Sequence, residues 1–377
     1  MNFNLTKEQK QIQKAAQDFV KGEFKKEVIK DLLDAKAYPE RILIQASELG
    51  FLGIHFPEDF GGESLGEFER IVITEELARG HSTLGSCIAL AGYGTQLLLD
   101  HGTKEQKETW LPKLADGQII SSCAFDEQDP VSPTYAVQVD DKWMINGSKN
   151  FVVNGGIHAG FYIVLCKIAT EISDDVWSTI LVESSNTGLA AIDAGKRLGQ
   201  SMVPVSRLEL HDVCVPITNL IGKENHGLDQ IKLASAADNL TLAGLSVGVA
   251  QGAFDRALAH TRQRKQFGQK LIQFQITRHK LTWMAVQIET ARLITWKAAI
   301  SFKNKKERIQ TSAQAKLAAT QAAVSVCDEA LQLFGGYGYI QEYEIEAFYR
   351  DAKMLELFNG SPYDQKNTIA EKLFGIS

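Results

Sequence analysis

The spacing of apolar positions divides the chain into three zones, and the first zone has helical spacing. In residues 1–117, apolar side chains recur with the period of an amphipathic helix. Leu43, Ala46 and Leu49 form one such stripe, and Gly50 follows it as a helix stop. We therefore predict a helical N-terminal domain.

The second zone, residues 118–228, shows the alternation of apolar and polar side chains that is typical of β-strands. Residues 136–139 alternate in this way. Asn146 and Gly147 are predicted to form a two-residue hairpin turn, because both residue types tolerate positive φ. Turn residues at short intervals predict a compact barrel or sandwich. Further strand-like runs cover residues 161–166, 179–182 and 207–210.

The third zone, residues 229–377, returns to helical spacing. A long alanine-rich helix is predicted over residues 313–333, and Gly335 and Gly336 end it. The order helix, strand, helix predicts an α+β protein with a β domain inserted between two helical domains. An earlier helix carries small residues that allow close backbone packing: Ala243, Gly244, Gly248, Ala250 and Gly252.

Composition and charge narrow the class of protein. Hydrophobic residues make up 44% and charged residues 23%, which is an ordinary mix for a soluble globular protein. The net charge of -6 argues against nucleic acid or an anionic membrane surface as the main partner, since both select basic surfaces. No apolar run approaches the roughly 20 residues that span a bilayer.

The N-terminus and the cysteines favour a cytoplasmic location. The first residues lack the apolar core of a signal peptide. The five cysteines lie far apart without a CxxC pair, as expected for buried thiols in a reducing compartment.

Several common catalytic motifs are absent from the sequence. The eight histidines form no HExxH pattern and have no CxxC companions, so we expect no metal site. There is no GxSxG, no P-loop and no GxGxxG that opens a helix. A bound nucleotide would therefore not be held by a Rossmann turn.

Two segments of the third zone have both a structural and a functional interpretation. Cations favour the C-terminal end of a helix, but arginine also matches phosphate oxygens bidentately, so a basic cluster around Phe267 and Gly268 can be a helix terminus or a diphosphate clamp. Residues 335–338 can cap a helix or admit a ligand close to the backbone. The basic cluster consists of Arg262, Arg264, Lys265 and Lys270.

Four segments, in order over nearly the whole chain, carry a more specific pattern. RKQFGQKLIQFQ (residues 264–275) matches R-x-x-F-G…Q, and QLFGGYGYIQEYEIEAFYRDAKMLELFNGS (residues 332–361) is similar to Q-x-x-G-G-x-G-Y…R-D-A…E-G-T. CAFDEQDPVS (residues 123–132) and INGSKNFVVNG (residues 145–155) are similar to two flavin-facing segments. Together they resemble the FAD-dependent acyl-CoA dehydrogenases.

This resemblance implies an N-terminal helical domain, a middle β domain and a C-terminal four-helix bundle. It also implies dimers, often paired into tetramers, with FAD at the interface. The arginine of the first motif would meet the pyrophosphate, while glutamines and glycines would lie along the diphosphate and adenosine. The residues that would reach the neighbouring subunit's FAD are Arg264, Phe267, Gln275, Gln332 and Gly336, and Gly335 would also contact the cofactor.

The residues that would face the subunit's own flavin depart from the family pattern. Asp126 stands where a threonine hydrogen-bonds the flavin ring, while Ser132 keeps the motif serine beside flavin and substrate. Phe151 replaces an aromatic residue that covers the flavin, and Val153 replaces a threonine near its N5 atom. Ser361 closes the E-G-T segment, where it would also contact the cofactor.

The catalytic position departs as well. Asn359 stands where the family glutamate removes the α-proton, and an amide has no useful basicity. Some family members place the glutamate on the first long helix of the C-terminal domain, and that position is Asp238. Asp238 can be this base, or it can be a solvated carboxylate near a helix start. Asn239 follows it where an arginine often contacts CoA. Phe358 and Gly360 flank Asn359 and would lie beside the substrate, although Phe358 can equally be core packing.

Three functions are therefore compatible with the sequence. The chain can be an active acyl-CoA dehydrogenase that uses another carboxylate, such as Asp238, and passes electrons to an electron-transfer flavoprotein. It can be a non-catalytic subunit of a heteromer that lends its FAD-binding residues to a homologous partner. It can also be a flavoenzyme that runs elimination or decarboxylation on a CoA thioester.

Overall fold

The computed structural model describes residues 4–168 and 176–375. It has the predicted α+β order of helices, a sheet and helices. Within the first domain, Leu43 and Ala46 are buried as expected, but Leu49 is exposed because its helix ends at Glu48. The helices of this domain are α1 (Lys7–Glu23), α2 (Lys26–Ala35), α3 (Glu40–Glu48), α4 (Glu67–Gly80), α5 (Ser82–Ala89), α6 (Thr95–His101) and α7 (Lys104–Ala115).

The middle domain is one eight-stranded sheet of mixed direction. Its strands follow the order β6-β7-β3-β2-β4-β5-β8, and β1 pairs with β4. One face of the sheet packs its own apolar core, in which Trp143, Tyr162 and Leu208 are buried. The strands are β1 (Ile120–Ala124), β2 (Tyr135–Val139), β3 (Lys142–Val153), β4 (Ala159–Ile168), β5 (Trp177–Glu183), β6 (Leu189–Asp193), β7 (Val205–Pro216) and β8 (Leu220–Ile221).

The predicted hairpin turn at Asn146 and Gly147 is wrong. Both residues lie inside β3, which pairs with β2 on one side and β7 on the other. The chain turns earlier, at Asp140, whose φ is 53°. Gly147 instead marks a register shift of the β3–β7 ladder, and an added Cβ would lie 2.5 Å from the Cα of Thr134. A glycine in a strand can thus signal a bulge and a close approach of backbones.

The C-terminal domain is helical, and its longest helix runs through the core. A short hairpin follows this helix and consists of β9 (Lys265–Gln266) and β10 (Gln269–Lys270), with Phe267 and Gly268 at its tip. Both tip residues have positive φ, which is unusual for phenylalanine. The helices are α8 (Gly227–Gln263), α9 (Gln275–Ser301), α10 (Arg308–Phe334), α11 (Ile345–Leu355) and α12 (Pro362–Phe374).

The glycines of α8 allow α4 to pack directly against it, as their spacing predicted. An added Cβ at Gly248 would lie 2.2 Å from the carbonyl oxygen of Glu75 on α4. At Gly252 the nearest atom would be the carbonyl oxygen of Arg79, at 2.5 Å. Although α8 is long and apolar enough to cross a bilayer, 89% of its most apolar window is buried inside the protein. It is therefore built as a core helix.

Candidate active site and cofactor groove

Asp238 lies in the interior of α8 and is only 6% exposed. Its Oδ1 accepts a hydrogen bond of 3.1 Å from the backbone N–H of Gly94. Burial raises the pKa of this carboxyl to about 7, although the Gly94 hydrogen bond and the charge of Arg70 lower it. The interpretation of Asp238 as a solvated carboxylate at a helix start is therefore wrong.

Asp238 lines a small cavity of about 30 Å³ between α4, α8 and the segment that follows α5. Arg70 also lines the cavity, but its guanidinium is hydrogen-bonded to other side chains. Nε donates to Glu67 Oε2 at 2.7 Å, and Nη1 donates to Thr241 Oγ1 at 2.5 Å. Besides apolar side chains, the walls include His55 and Tyr93. Sequence reasoning missed these wall residues, because they come from separate segments without a shared motif.

Asn359 belongs to a closed network of amides. Its Nδ2 donates to the carbonyl of Ser235 at 3.1 Å and to Asn239 Oδ1 at 2.9 Å. Asn239 Nδ2 donates to Gln365 Oε1 at 3.1 Å, and Gln365 Nε2 donates back to the Asn359 carbonyl at 3.1 Å. Two of the positions that depart from the family pattern, Asn239 and Asn359, are thus hydrogen-bonded to each other.

Lys316 on α10 fixes the loop that carries Asn359. Its Nζ donates to the carbonyl oxygens of Phe358 (2.5 Å), Asn359 (2.9 Å) and Gly360 (2.5 Å). Burial lowers the pKa of this ammonium to about 7, against the raising effect of the Asp364 and Asp238 carboxylates. The signal that could have revealed it is a lone lysine among the buried alanines of α10.

The residues predicted to face the flavin lie at the junction of the sheet and the C-terminal helices. Phe151, with φ of 50°, packs edge-on against Phe358 with ring centroids 5.9 Å apart. Val153 is buried, and its carbonyl accepts a 2.6 Å hydrogen bond from Ser122. Phe358 is fully buried, so it serves as core packing as well as a neighbour of Asn359.

Three further predicted positions are more open. Asp126 follows β1 and is exposed, yet the protein around it removes enough water to raise the pKa of its carboxyl. Ser132 lies in an exposed turn of the same segment. Ser361 is the N-cap of α12, and its hydroxyl donates to Asp364 Oδ2 at 2.7 Å. The Asp364 charge also acts on Asp126, so these two segments face each other.

Four of the predicted cofactor residues meet in a separate groove of about 430 Å³. Arg264 and Gln332 line it together with Gly335 and Gly336. Arg264 caps the C-terminus of α8, and its guanidinium stacks 5.1 Å from the centre of the Tyr337 ring. This guanidinium donates no hydrogen bond to any of the described residues. The helix-terminus and phosphate-clamp interpretations are therefore compatible with each other.

The remaining two predicted cofactor residues point elsewhere. Phe267, at the hairpin tip, is 92% exposed, and Gln275 is exposed at the start of α9. Neither lines the groove. Phe267 contacts Phe274 edge-on, and the rest of both side chains is available to a neighbouring molecule.

The groove fits the diphosphate part of a dinucleotide such as FAD. An added Cβ at Gly335 or Gly336 would meet no atom within 4 Å, so the backbone there is open to a ligand. An unpaired guanidinium beside this backbone supplies the charge that phosphate oxygens select. The fit is weaker on the flavin side, where Val153 offers no hydroxyl.

Comparisons with known proteins agree with this architecture. Models of the N-terminal, middle and C-terminal domains of acyl-CoA dehydrogenase match residues 6–118, 125–213 and 225–374. The chain is 32% identical to the short-chain-specific acyl-CoA dehydrogenase of Clostridium acetobutylicum, over 99% of this chain and 100% of that one.

Two other similar proteins extend the comparison. A subunit of the caffeyl-CoA reductase–Etf complex of Acetobacterium woodii is 30% identical over 98% of this chain and 99% of its own. The solved structure of butyryl-CoA dehydrogenase from Megasphaera elsdenii superimposes with a TM-score of 0.93 at 28% identity, covering 99% of this chain and 100% of that one. The chain therefore belongs to the acyl-CoA dehydrogenase family of oxidoreductases.

Proposed function

We propose that this chain dehydrogenates an acyl-CoA thioester between its α- and β-carbons, with FAD as cofactor and Asp238 as the base. The observation that supports this most directly is the Asp238 carboxyl itself. It lies on the wall of an internal cavity, and burial raises its pKa to about 7. A base is most effective when its pKa lies near the working pH.

Asp238 would take the α-proton as the α C–H bond breaks. One of its oxygens is held by the Gly94 N–H, which fixes the carboxylate without saturating it. FAD, when bound, supplies the acceptor for the β-hydrogen that leaves as hydride. Asn359 would not exchange a proton; its amide holds Asn239 and the Ser235 carbonyl in place. Lys316 would keep this loop fixed through three carbonyls.

FAD would be held by two sets of residues. Arg264, Gln332, Gly335 and Gly336 would receive the diphosphate and adenosine of a neighbouring subunit's cofactor. The positions at the sheet–helix junction would face the flavin of the same subunit: Asp126, Ser132, Phe151, Val153 and Ser361. A dimer or tetramer follows from this division of the cofactor, and we place it in the cytoplasm.

The electron acceptor we propose is an electron-transfer flavoprotein. The relative from Acetobacterium woodii is named as a subunit of an Etf complex, which supports this choice. Reduced protein should be reoxidised by a purified electron-transfer flavoprotein.

The test of the base is Asp238→Asn, which keeps the acceptor for Gly94. With FAD content unchanged, the rate of anaerobic flavin bleaching by a short acyl-CoA should fall by about 10²–10⁴-fold, the usual contribution of a general base. The matched control is Asp229→Asn, an exposed carboxylate in the first turn of the same helix. Bleaching at the normal rate in Asp238→Asn would remove Asp238 from the mechanism.

A second function, a subunit that lends residues to a homologous partner, is favoured by one contrast. The groove side keeps its motif and exposes Phe267, while Asn359, Asn239 and Val153 have lost acidic, basic or hydroxyl groups of the family pattern. This function predicts less than one FAD per chain after purification alone. It also predicts no bleaching by acyl-CoA until a homologous chain with the glutamate is added.

A further inference from the structure

The walls of the Asp238 cavity carry polar groups that the proposed proton transfer does not use. His55 Nδ1 is buried and has no hydrogen-bond partner. Its imidazole is neutral at physiological pH, because burial lowers its pKa to about 4. The hydroxyl of Tyr93, on the same wall, makes no hydrogen bond to any described residue. A buried polar atom without a partner, such as His55 Nδ1, is costly unless a ligand or water satisfies it.

Arg70, the one cation on the wall, already has hydrogen-bond partners within the protein. Arg70 donates through Nε to Glu67, through Nη1 to Thr241 and through Nη2 to the Ala237 carbonyl at 3.1 Å. The Glu67 carboxylate lies 2.5 Å from Nη2 and neutralises the guanidinium. A carboxylate on the ligand would therefore find no free positive charge, and the Asp238 carboxylate would repel it.

The size of the cavity limits the ligand as strongly as its polarity. At about 30 Å³ it holds roughly two water-sized groups, whereas a cavity of about 150 Å³ is needed for benzene. Since Asp238 must reach the α-carbon, only one or two atoms beyond the β-carbon fit inside. A long alkyl chain would require displacement of the packed walls.

We infer that the acyl group oxidised at this site is short and ends in a neutral hydrogen-bonding group, such as a hydroxyl, that meets His55 and Tyr93. A hydroxyl both donates and accepts, so it satisfies either tautomer of a neutral imidazole. This inference rests on the proposed acyl-CoA function, because it assigns the cavity to the substrate's acyl end.

The experiment measures dissociation constants by calorimetry on the FAD-loaded protein. Three thioesters share a four-carbon acyl group and differ at its end: 4-hydroxybutyryl-CoA, butyryl-CoA and succinyl-CoA. Octanoyl-CoA tests length. We expect 4-hydroxybutyryl-CoA to bind about tenfold more tightly than butyryl-CoA and succinyl-CoA, the effect of one buried hydrogen bond. Octanoyl-CoA should bind most weakly.

Two variants test whether His55 and Tyr93 cause the preference for a terminal hydroxyl. His55→Leu should abolish the difference in affinity between 4-hydroxybutyryl-CoA and butyryl-CoA. Tyr93→Phe, which removes one hydroxyl and keeps the ring, should reduce the difference. His211→Leu, at an exposed histidine of β7, is the control and should preserve it.

Each other result has a defined meaning. Tighter binding of butyryl-, succinyl- or octanoyl-CoA overturns the inference and leaves the proposed dehydrogenase function standing. A hydroxyl preference that survives both His55→Leu and Tyr93→Phe also overturns it. If none of the four thioesters binds, the proposed function and the inference fall together.

Discussion

The groove around Arg264 and the cavity around Asp238 follow opposite designs. The groove is open, about 430 Å³ in volume, and lined by a guanidinium and by glycines whose backbone is accessible. The cavity is more enclosed, about 30 Å³ in volume, and lined by a carboxylate whose pKa burial has raised. The sequence keeps the family motif at the groove, whereas Asn359 stands at the position of the family glutamate.

This difference reflects the distinct physical requirements of binding a cofactor and of abstracting a proton. Binding a diphosphate needs charge and room, which surface residues supply without much cost in stability. Proton abstraction needs a desolvated carboxylate, and desolvation is only available in the core. Under the proposed function, the chain therefore uses a different base while its FAD-binding residues stay the same.

After the loss expected for Asp238→Asn, the largest expected effect lies in the groove. Arg264→Ala should weaken FAD binding by about 100-fold, because a charge-assisted phosphate contact contributes roughly 2–3 kcal/mol. Flavin fluorescence titration of the deflavinated protein measures this. The exposed neighbour Arg262→Ala serves as the control and should bind FAD almost normally. Equal losses in both variants would mean that the basic cluster acts only through its overall charge.

The next effect concerns the loop that carries Asn359. Lys316→Met removes a donor from the carbonyl oxygens of Phe358, Asn359 and Gly360, of which only the Asn359 oxygen keeps a second donor, the Gln365 amide. Unfolding should therefore become easier by about 2 kcal/mol. Urea denaturation measures it, with the exposed Lys297→Met on α9 as the control. An unchanged midpoint for Lys316→Met would show that the loop does not depend on this ammonium.

A smaller effect is the pH dependence, which has opposite signs for activity and stability. With a pKa of about 7, Asp238 is mostly protonated at pH 6 and mostly ionised at pH 8, so the bleaching rate should rise about tenfold. The folded state binds this proton more tightly than the unfolded state. The stability contribution of Asp238 therefore falls as pH rises from its unfolded pKa towards 7.

The pH dependence of stability is checked with Asp238→Asn, and that of the bleaching rate is checked with the natural chain. In thermal melts between pH 5 and pH 8, the variant should gain stability relative to the natural chain as the pH rises. A bleaching rate that stays flat over this range in the natural chain would speak against an ionising base in the cavity.

The smallest expected effect comes from restoring the family glutamate. Asn359→Glu should change the bleaching rate by less than about threefold while Asp238 is present, because one general base suffices for one proton. Anaerobic flavin bleaching by short acyl-CoA thioesters measures this rate. A gain above about tenfold would assign the base to position 359 and deprive Asp238 of its role.

The sequence predicted the order of the domains and four of the residues that line the groove, because both depend on local patterns. Helical and strand periodicities gave the α+β fold, and the segment around Arg264 and the glycines at 335 and 336 carried their own motif. The Asn146 turn failed because β3 continues through it to pair with β7. Local turn preference gave way to sheet pairing there.

The cavity was only partly predictable. Asp238 was named as a candidate by its position, but its hydrogen bond from Gly94 and its charge interaction with Arg70 involve residues of other segments. Lys316 and His55 have no motif at all. Their roles arise from contacts over long sequence separations, which no periodicity records.

The tight crossing of α4 and α8 has a consequence for how this protein can be altered. Arg70 lies on α4 and Asp238 on α8, and the two helices approach most closely where Gly248 meets the Glu75 carbonyl. Gly248 is ten residues from Asp238, or about 15 Å along the helix. One methyl group at that crossing would spread the helices and shift the carboxylate relative to its walls. Tolerance to mutation in this chain is therefore governed by backbone clearance at a remote point as much as by the residues that touch the substrate.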